Sequence, residues 1–247
     1  MSLVSVLMPY YKKKPFIESS IQSILNQTYQ NFEIIVIDDE LSDESSEVLK
    51  KISTLDKRIM VIKNKNNQGA GETRNFGIKI ASGEYIAFCD CDDLWKKTKL
   101  DQQLKFMRNL NIDFSFTAYE IINNKESIIG FREAKNRLNF NNLIKSCDIG
   151  LSTVVLKKNL LSNPNYRFAN LKTKEDYVLW LKLAKDGILL NGLNENLVSW
   201  RKNQNSLSSS VSQKIIDGFK VYNSYLKFNI FKSIIYLLIL SINSVTR

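Results

Sequence analysis

Four short apolar runs, each followed by a segment of helical period or by a polar loop, dominate the first hundred residues and leave few folds open. The runs are Leu3–Met8, Phe32–Ile37, Ile59–Ile62 and Tyr85–Cys89. A strand that is apolar on consecutive positions is buried on both faces, which requires a sheet with helices on either side. Between the runs, Pro15 suits a first helical turn, and Ile17, Ile21, Ile24 and Leu25 then share one face. Ser42, Asp43 and Ser45 offer N-cap chemistry for a helix through about Ser53, and Glu72–Ala81 reads as a helix closed by Gly83. This alternation predicts an α/β fold with a doubly wound, mostly parallel sheet.

Sheets of this kind bind ligands outside the carboxyl ends of their strands. Pro9, Tyr10 and Tyr11 follow the first run, Asp38 and Asp39 the second, and Asp90-Cys91-Asp92-Asp93 the fourth. Carboxylates at 90, 92 and 93 repel one another unless a cation joins them, and hard oxygen ligands with open positions suit Mg²⁺ or Mn²⁺ holding a diphosphate. A solvated turn with helix-capping aspartates is the plainer alternative for the bare triplet.

The chain has 247 residues and no histidine. Ser-His-Asp and Cys-His catalysis and histidine-ligated zinc are thereby excluded, so acid–base chemistry falls first to carboxylates. The net charge of +10 suits an anionic membrane surface or a phosphorylated substrate. It is spread over Lys12-Lys13-Lys14, Lys96-Lys97 and Lys157-Lys158, with no arginine-rich stripe and interleaved aromatics, which argues against nucleic acid. Three cysteines cannot build a disulfide framework, and Met1 leads almost at once into a strand-like run. Both features point to the cytoplasm. Gly69, Gly71 and Gly77 do not have dinucleotide-loop spacing, and Cys89 and Cys91 read as apolar filler.

The second half is less regular. Lys96–Asn109 reads as helix, Phe114–Ile122 as extended, Leu151–Leu156 as a strand and Thr173–Asp186 as a helix. Gln204–Ser212 is a serine-rich loop, and from Lys214 the chain reads as helix, ending in the apolar segment Phe228–Val245. That segment's uninterrupted apolar stretch is too short to span a bilayer but suits a core helix or a shallow interfacial one.

Three stretches together resemble the family 2 glycosyltransferases of the GT-A fold, as found in bacterial surface-polysaccharide and lipopolysaccharide synthesis. They are Val4–Ser46, Asn67–Trp95 and Lys174–Leu183 (KEDYVLWLKL), with Trp200-Arg201 and Ser206–Ser208 in support. The resemblance covers roughly residues 3–210. It implies a catalytic domain over 1–212, with a nucleotide-sugar half (1–95) and an acceptor half (96–212), and a helical tail over 213–247. It further implies an inverting, metal-dependent transfer of one sugar from a UDP-sugar to a glycan or lipid-linked acceptor, with Mn²⁺ or Mg²⁺, peripheral on the inner face of the cell membrane. The Gln-x-x-Arg-Trp element of processive synthases is absent, in keeping with single-sugar addition.

Position by position, the resemblance assigns Pro9, Tyr11, Asp39, Arg74, Asp90 and Asp92 to the nucleotide. Tyr11 flanks the uracil, Asp39 accepts from the base and Arg74 faces the diphosphate. Asp90 and Asp92 form the DxD element contacting ribose and metal, with Asp93 supporting the metal. Asp176 is the general base, with Glu175 beside it. The sequence departs from the family pattern at Glu40-Leu41, where a Gly-Ser turn is usual, and at Asn203, in a segment that often carries histidine. Two other readings stay open. A sugar nucleotidyltransferase would want a Gly- and Lys-rich triphosphate loop where Pro9-Tyr10-Tyr11 stands, and a silent binding module would have lost Asp176 or the DxD pair.

Overall fold

The computed structural model describes residues 1–203 and 210–245. Strands β1 (Val4–Tyr10), β2 (Phe32–Asp38), β3 (Ile59–Lys63) and β4 (Tyr85–Phe88) alternate with helices α1 (Ile17–Leu25), α2 (Asp43–Ser53) and α3 (Ala70–Ile80). β1 pairs in parallel with β2 on one side and β4 on the other, and β2 pairs in parallel with β3. The expected doubly wound order follows. Val4, Val6 and Met8 of β1 enter one apolar cluster and Leu7 the other, so each face of the sheet has its own core. Ser42 caps α2 as expected, its Oγ accepting from Ser45 N–H at 3.0 Å.

Beyond β4 come β5 (Leu94–Trp95), α4 (Lys99–Leu110), β6 (Phe114–Ile122), β7 (Ile128–Arg132), β8 (Arg137–Leu138) and the short helix α5 (Phe140–Leu143). β9 (Val155–Lys157), α6 (Glu175–Lys185), β10 (Leu190–Arg201), α7 (Val211–Lys220) and α8 (Ile230–Val245) complete the described chain. The sheet order is β3-β2-β1-β4-β9-β6-β10-β5, with β7 on β6 and β8 on β10. β9 runs antiparallel to both β4 and β6, so the sheet is mixed in its second half.

Three expectations need correction. Leu151–Thr153 is a 3₁₀ turn, and only Val155–Lys157 pairs as a strand. The helix expected from Lys96 starts at Lys99, because Leu94–Trp95 is drawn into the sheet against β10. β10, twelve residues long, is a strand that no regular alternation in the sequence announces. Most of the Gln204–Ser212 loop, with Ser206–Ser208, lies outside the described residues.

The tail is no loose appendage. α7 is followed by a π-helical turn, Val221–Tyr225, whose Val221 and Tyr222 are fully buried, and Leu240 of α8 is 4% exposed. A Cβ on Gly218 of α7 would stand 2.8 Å from Leu237 Cδ1 of α8. The π-helical turn and α8 therefore join the main core, and α7 packs against α8 at Gly218. No helix among the described residues is long and apolar enough to cross a membrane.

Candidate active site

The parallel strands end side by side. Asp39 N–H donates to Tyr10 O at 3.0 Å and Cys89 N–H to Leu7 O at 3.1 Å, which brings the residues after β1, β2 and β4 to one rim. Tyr11 stands on that rim, 42% exposed, with the Lys12 ammonium 5.3 Å from its ring centroid. Pro9 lies inside β1, where its carbonyl accepts from Cys91 Sγ.

The carboxylates after β2 organise loops. Asp38 accepts from Glu40 N–H, Leu41 N–H and Ser45 Oγ. This holds Leu41 in the left-handed region at φ 66°, a conformation that costs strain in any residue carrying a Cβ. Asp39 accepts from Asn64 Nδ2 and Gln68 N–H on one oxygen, each at 2.8 Å, and from Gly69 N–H and Asn67 Nδ2 on the other, at 2.8 and 3.2 Å. Four donors occupy a group with about four acceptor positions, so a base N–H would have to share an oxygen with them. Asp39 fixes the turn that starts α3.

α3 carries Arg74 into the centre of the site. A Cβ on Gly71, one turn earlier, would lie 2.5 Å from Ala169 O. Only glycine lets α3 approach the loop before α6 this closely. Arg74 is 3% exposed; one nitrogen donates to Asp90 Oδ1 and another to Glu175 Oε1, both at 2.6 Å. Arg74, which the resemblance assigns to the diphosphate, forms a clamp between the loop after β4 and the start of α6. Burial works against its charge, but Asp90 and Glu175 outweigh it and hold the guanidinium above its usual range.

In the acidic loop the three aspartates differ. The Asp90 side chain is 33% exposed and bonded to Arg74. Asp92 Oδ2 accepts from the Lys13 ammonium, which in the sequence is one of a run of three lysines. Asp93 is 1% exposed, accepting from Ser152 Oγ and from Arg201 N–H. With both oxygens engaged inside the fold, Asp93 holds the loop. Arg201 completes that hold: its Nε donates to Asp92 O at 2.8 Å, and its guanidinium also reaches Asn123 O and Glu126. The Trp-Arg pair was visible in the sequence, but its fastening role depends on β10, which was not.

Among the described residues no three carboxylate or thiol side chains converge as a metal cage. The donor set still suits a hard divalent cation that takes most of its ligands from a diphosphate. The Lys13 ammonium against Asp92 shows that this oxygen draws a positive charge. Cys89 and Cys91 are buried, and burial pushes both thiols up, which leaves them inert.

Glu175 and Asp176 open α6 directly after Lys174, itself left-handed at φ 64°. Burial first, and the adjoining Glu175 charge second, push Asp176 up to about 7. A carboxyl group poised there can take a proton at neutral pH. The structure thus gathers Asp90, Arg74, Glu175 and Asp176, from three separate stretches of sequence, into one cluster.

Residues 5–163 match Glycosyl transferase family 2. The chain belongs to that family. A UDP-Glc:alpha-D-GlcNAc-diphosphoundecaprenol beta-1,3-glucosyltransferase of Escherichia coli, WfgD, is 39% identical over 227 residues, covering 91% of this chain and 87% of the relative. The putative teichuronic acid biosynthesis glycosyltransferase TuaG of Bacillus subtilis (strain 168) is 35% identical over 209 residues, covering 84% and 82%. Among solved structures, S. aureus TarS 1–349 with UDP-GlcNAc superposes with a TM-score of 0.76 at 21% identity, over 96% of this chain and 70% of that one. The mannosyltransferase PcManGT of Pyrobaculum calidifontis, in complex with GDP-Man and Mn²⁺, gives 0.70 at 15% identity, over 95% and 69%. This family 2 enzyme is therefore a glycosyltransferase with a GT-A fold.

Proposed function

We propose that this glycosyltransferase moves a single sugar, with inversion, from a UDP-sugar to a lipid-linked glycan acceptor at a membrane surface. The observation that carries the reading is the Arg74 clamp, which ties the DxD loop to the helix start bearing Asp176. Donor and acceptor chemistry are thereby brought to one place.

In the reaction, Asp176 takes the proton from the acceptor hydroxyl as its oxygen attacks the anomeric carbon. The bond from that carbon to the diphosphate oxygen breaks, and UDP leaves with the electron pair. Glu175 stays paired with Arg74, and its charge keeps Asp176 basic enough to accept the proton. Asp92 and Asp90 would hold a divalent cation, with Asp93 and Arg201 fixing their loop. When bound, such a cation neutralises charge on the leaving diphosphate. Tyr11 flanks the base, and Asp39 shapes the loop beneath it.

The donor and acceptor class rests on the E. coli relatives, whose names specify UDP-Glc, a GlcNAc-diphosphoundecaprenol acceptor and a β-1,3 linkage. UDP-glucose is α at its anomeric carbon, so a β product requires inversion. A membrane site agrees with the apolar outer face of α8 and the net charge of +10.

Calorimetry with UDP-glucose, UDP-GlcNAc and UDP-galactose, in Mn²⁺ and in excess chelator, tests the donor. One UDP-sugar should bind, more tightly with metal, and Asp92→Ala should remove the metal-dependent gain. Absence of binding to every UDP-sugar, with or without metal, would refute the reading.

A further inference from the structure

Asp217 of α7 is a buried carboxylate for which the chemistry above finds no use. It is 1% exposed, and its Oδ2 accepts from the backbone N–H of Thr173 at 2.9 Å and from Thr173 Oγ1 at 3.1 Å. A carboxylate removed from water is costly unless its hydrogen bonds compensate. Here both bonds go to the residue just before the left-handed Lys174 and the pair Glu175-Asp176.

The other side of the pair is also held from the tail. Tyr177 OH donates to Leu143 O and lies 3.4 Å from Tyr222 OH, and Tyr222 OH in turn donates to Ile144 O at 2.8 Å. Asp176 therefore sits between two residues, Thr173 and Tyr177, that both meet the segment Asp217–Tyr222. A non-glycine residue at positive φ persists only where its surroundings enforce it. Asp217, with its grip on Thr173, enforces the turn at Lys174 from the N-terminal side.

We infer that Asp217 is a positioning residue for Asp176, so that α7 belongs to the machinery that aims the base. It touches neither donor nor acceptor; it fixes the backbone from which the base projects. The inference rests on the glycosyl-transfer reading given above. Displacing a catalytic group by about 1 Å costs on the order of 10²-fold in rate without weakening donor binding.

The test compares Asp217→Ala, Asp217→Asn, Thr173→Val and Thr173→Ser in the full chain. Asp217→Ala should lower kcat by about 10- to 100-fold, and Thr173→Val by roughly fivefold. Affinity for UDP should stay within about twofold of wild type in both. Asp217→Asn, which keeps an acceptor oxygen, and Thr173→Ser, which keeps the hydroxyl, should restore most of the turnover. Amide hydrogen exchange at Thr173–Tyr177 should quicken in Asp217→Ala and in Thr173→Val while the amides of β1 and β2 keep their protection. The proposal is overturned if both disruptive variants turn over like wild type, or if kcat and UDP affinity fall together. If wild-type protein transfers no sugar, the glycosyl-transfer reading fails on its own. Exchange then decides the role of Asp217, and unchanged protection at Thr173–Tyr177 overturns it.

Discussion

Lys99 is fully buried on α4, its ammonium 4.2 Å from the Trp95 ring centroid and 2.9 Å from Gln103 Oε1. Burial pushes it down to about 7 from an ordinary 10.5. Between those values the unfolded chain holds a proton that the folded chain has shed, so stability rises with pH across that window; below about 7 the full penalty applies. Lys99→Met should remove this dependence. Urea unfolding at pH 7 and pH 9 should show wild type gaining stability relative to the variant, by up to about 1 kcal/mol per pH unit. Parallel behaviour of the two proteins would show the ammonium to be solvated. Single residues were the hardest to read from sequence. Arg74 was identifiable as a site residue, yet its two partners lie 16 and 101 positions away. Lys13 looked like one more surface charge because its contact with Asp92 joins the ends of two strands far apart in sequence.

Elements with one strong period were legible, and those with mixed signals were not. β1, β2 and β4 are continuous apolar runs, so two-sided burial was visible in their composition. β10 was hidden because Gly192, Asn194, Glu195 and Asn196 break its pattern, and its pairing with β6 carries register shifts on either side of Asn196. α8 carried two signals at once, and the structure resolves them onto two faces. Ser233 and Leu240 are buried against the core, while Ile230, Phe231, Ile234, Ile235, Leu238 and Ile242 stay exposed on the other side. Lys227 and Lys232 are exposed beside them. An apolar stripe flanked by lysines suits the interface of an anionic bilayer. Full-length protein should float with phosphatidylglycerol-containing liposomes. The triple variant Phe231→Glu, Ile235→Glu, Leu238→Glu spares the core face and should bind at least about tenfold more weakly. Equal flotation of the two, or none by either, would rule the face out as the anchor.

Across the whole molecule, the expected boundary at residue 95 falls within one continuous sheet, because β5 pairs with β10 of the second half. Arg201 of β10 fastens the acidic loop of the first half, and Arg74 of the first half clamps the start of the helix that carries Asp176. The site is thus a joint between the halves. Sequence motifs named its members, but only the continuous sheet explains why they meet. The central claim is that Asp176 is the base at this joint. Its most direct test measures kcat and UDP affinity together for wild type, Asp176→Asn and Glu175→Gln, with UDP-glucose and a GlcNAc-diphospholipid acceptor. Asp176→Asn should lower kcat by about 10²–10⁴-fold. Its UDP affinity should be unchanged, and the wild-type kcat/KM should fall away below about pH 7 as Asp176 takes up its proton. Near-normal turnover in Asp176→Asn, with turnover lost in Glu175→Gln, would contradict the account and move the base to Glu175.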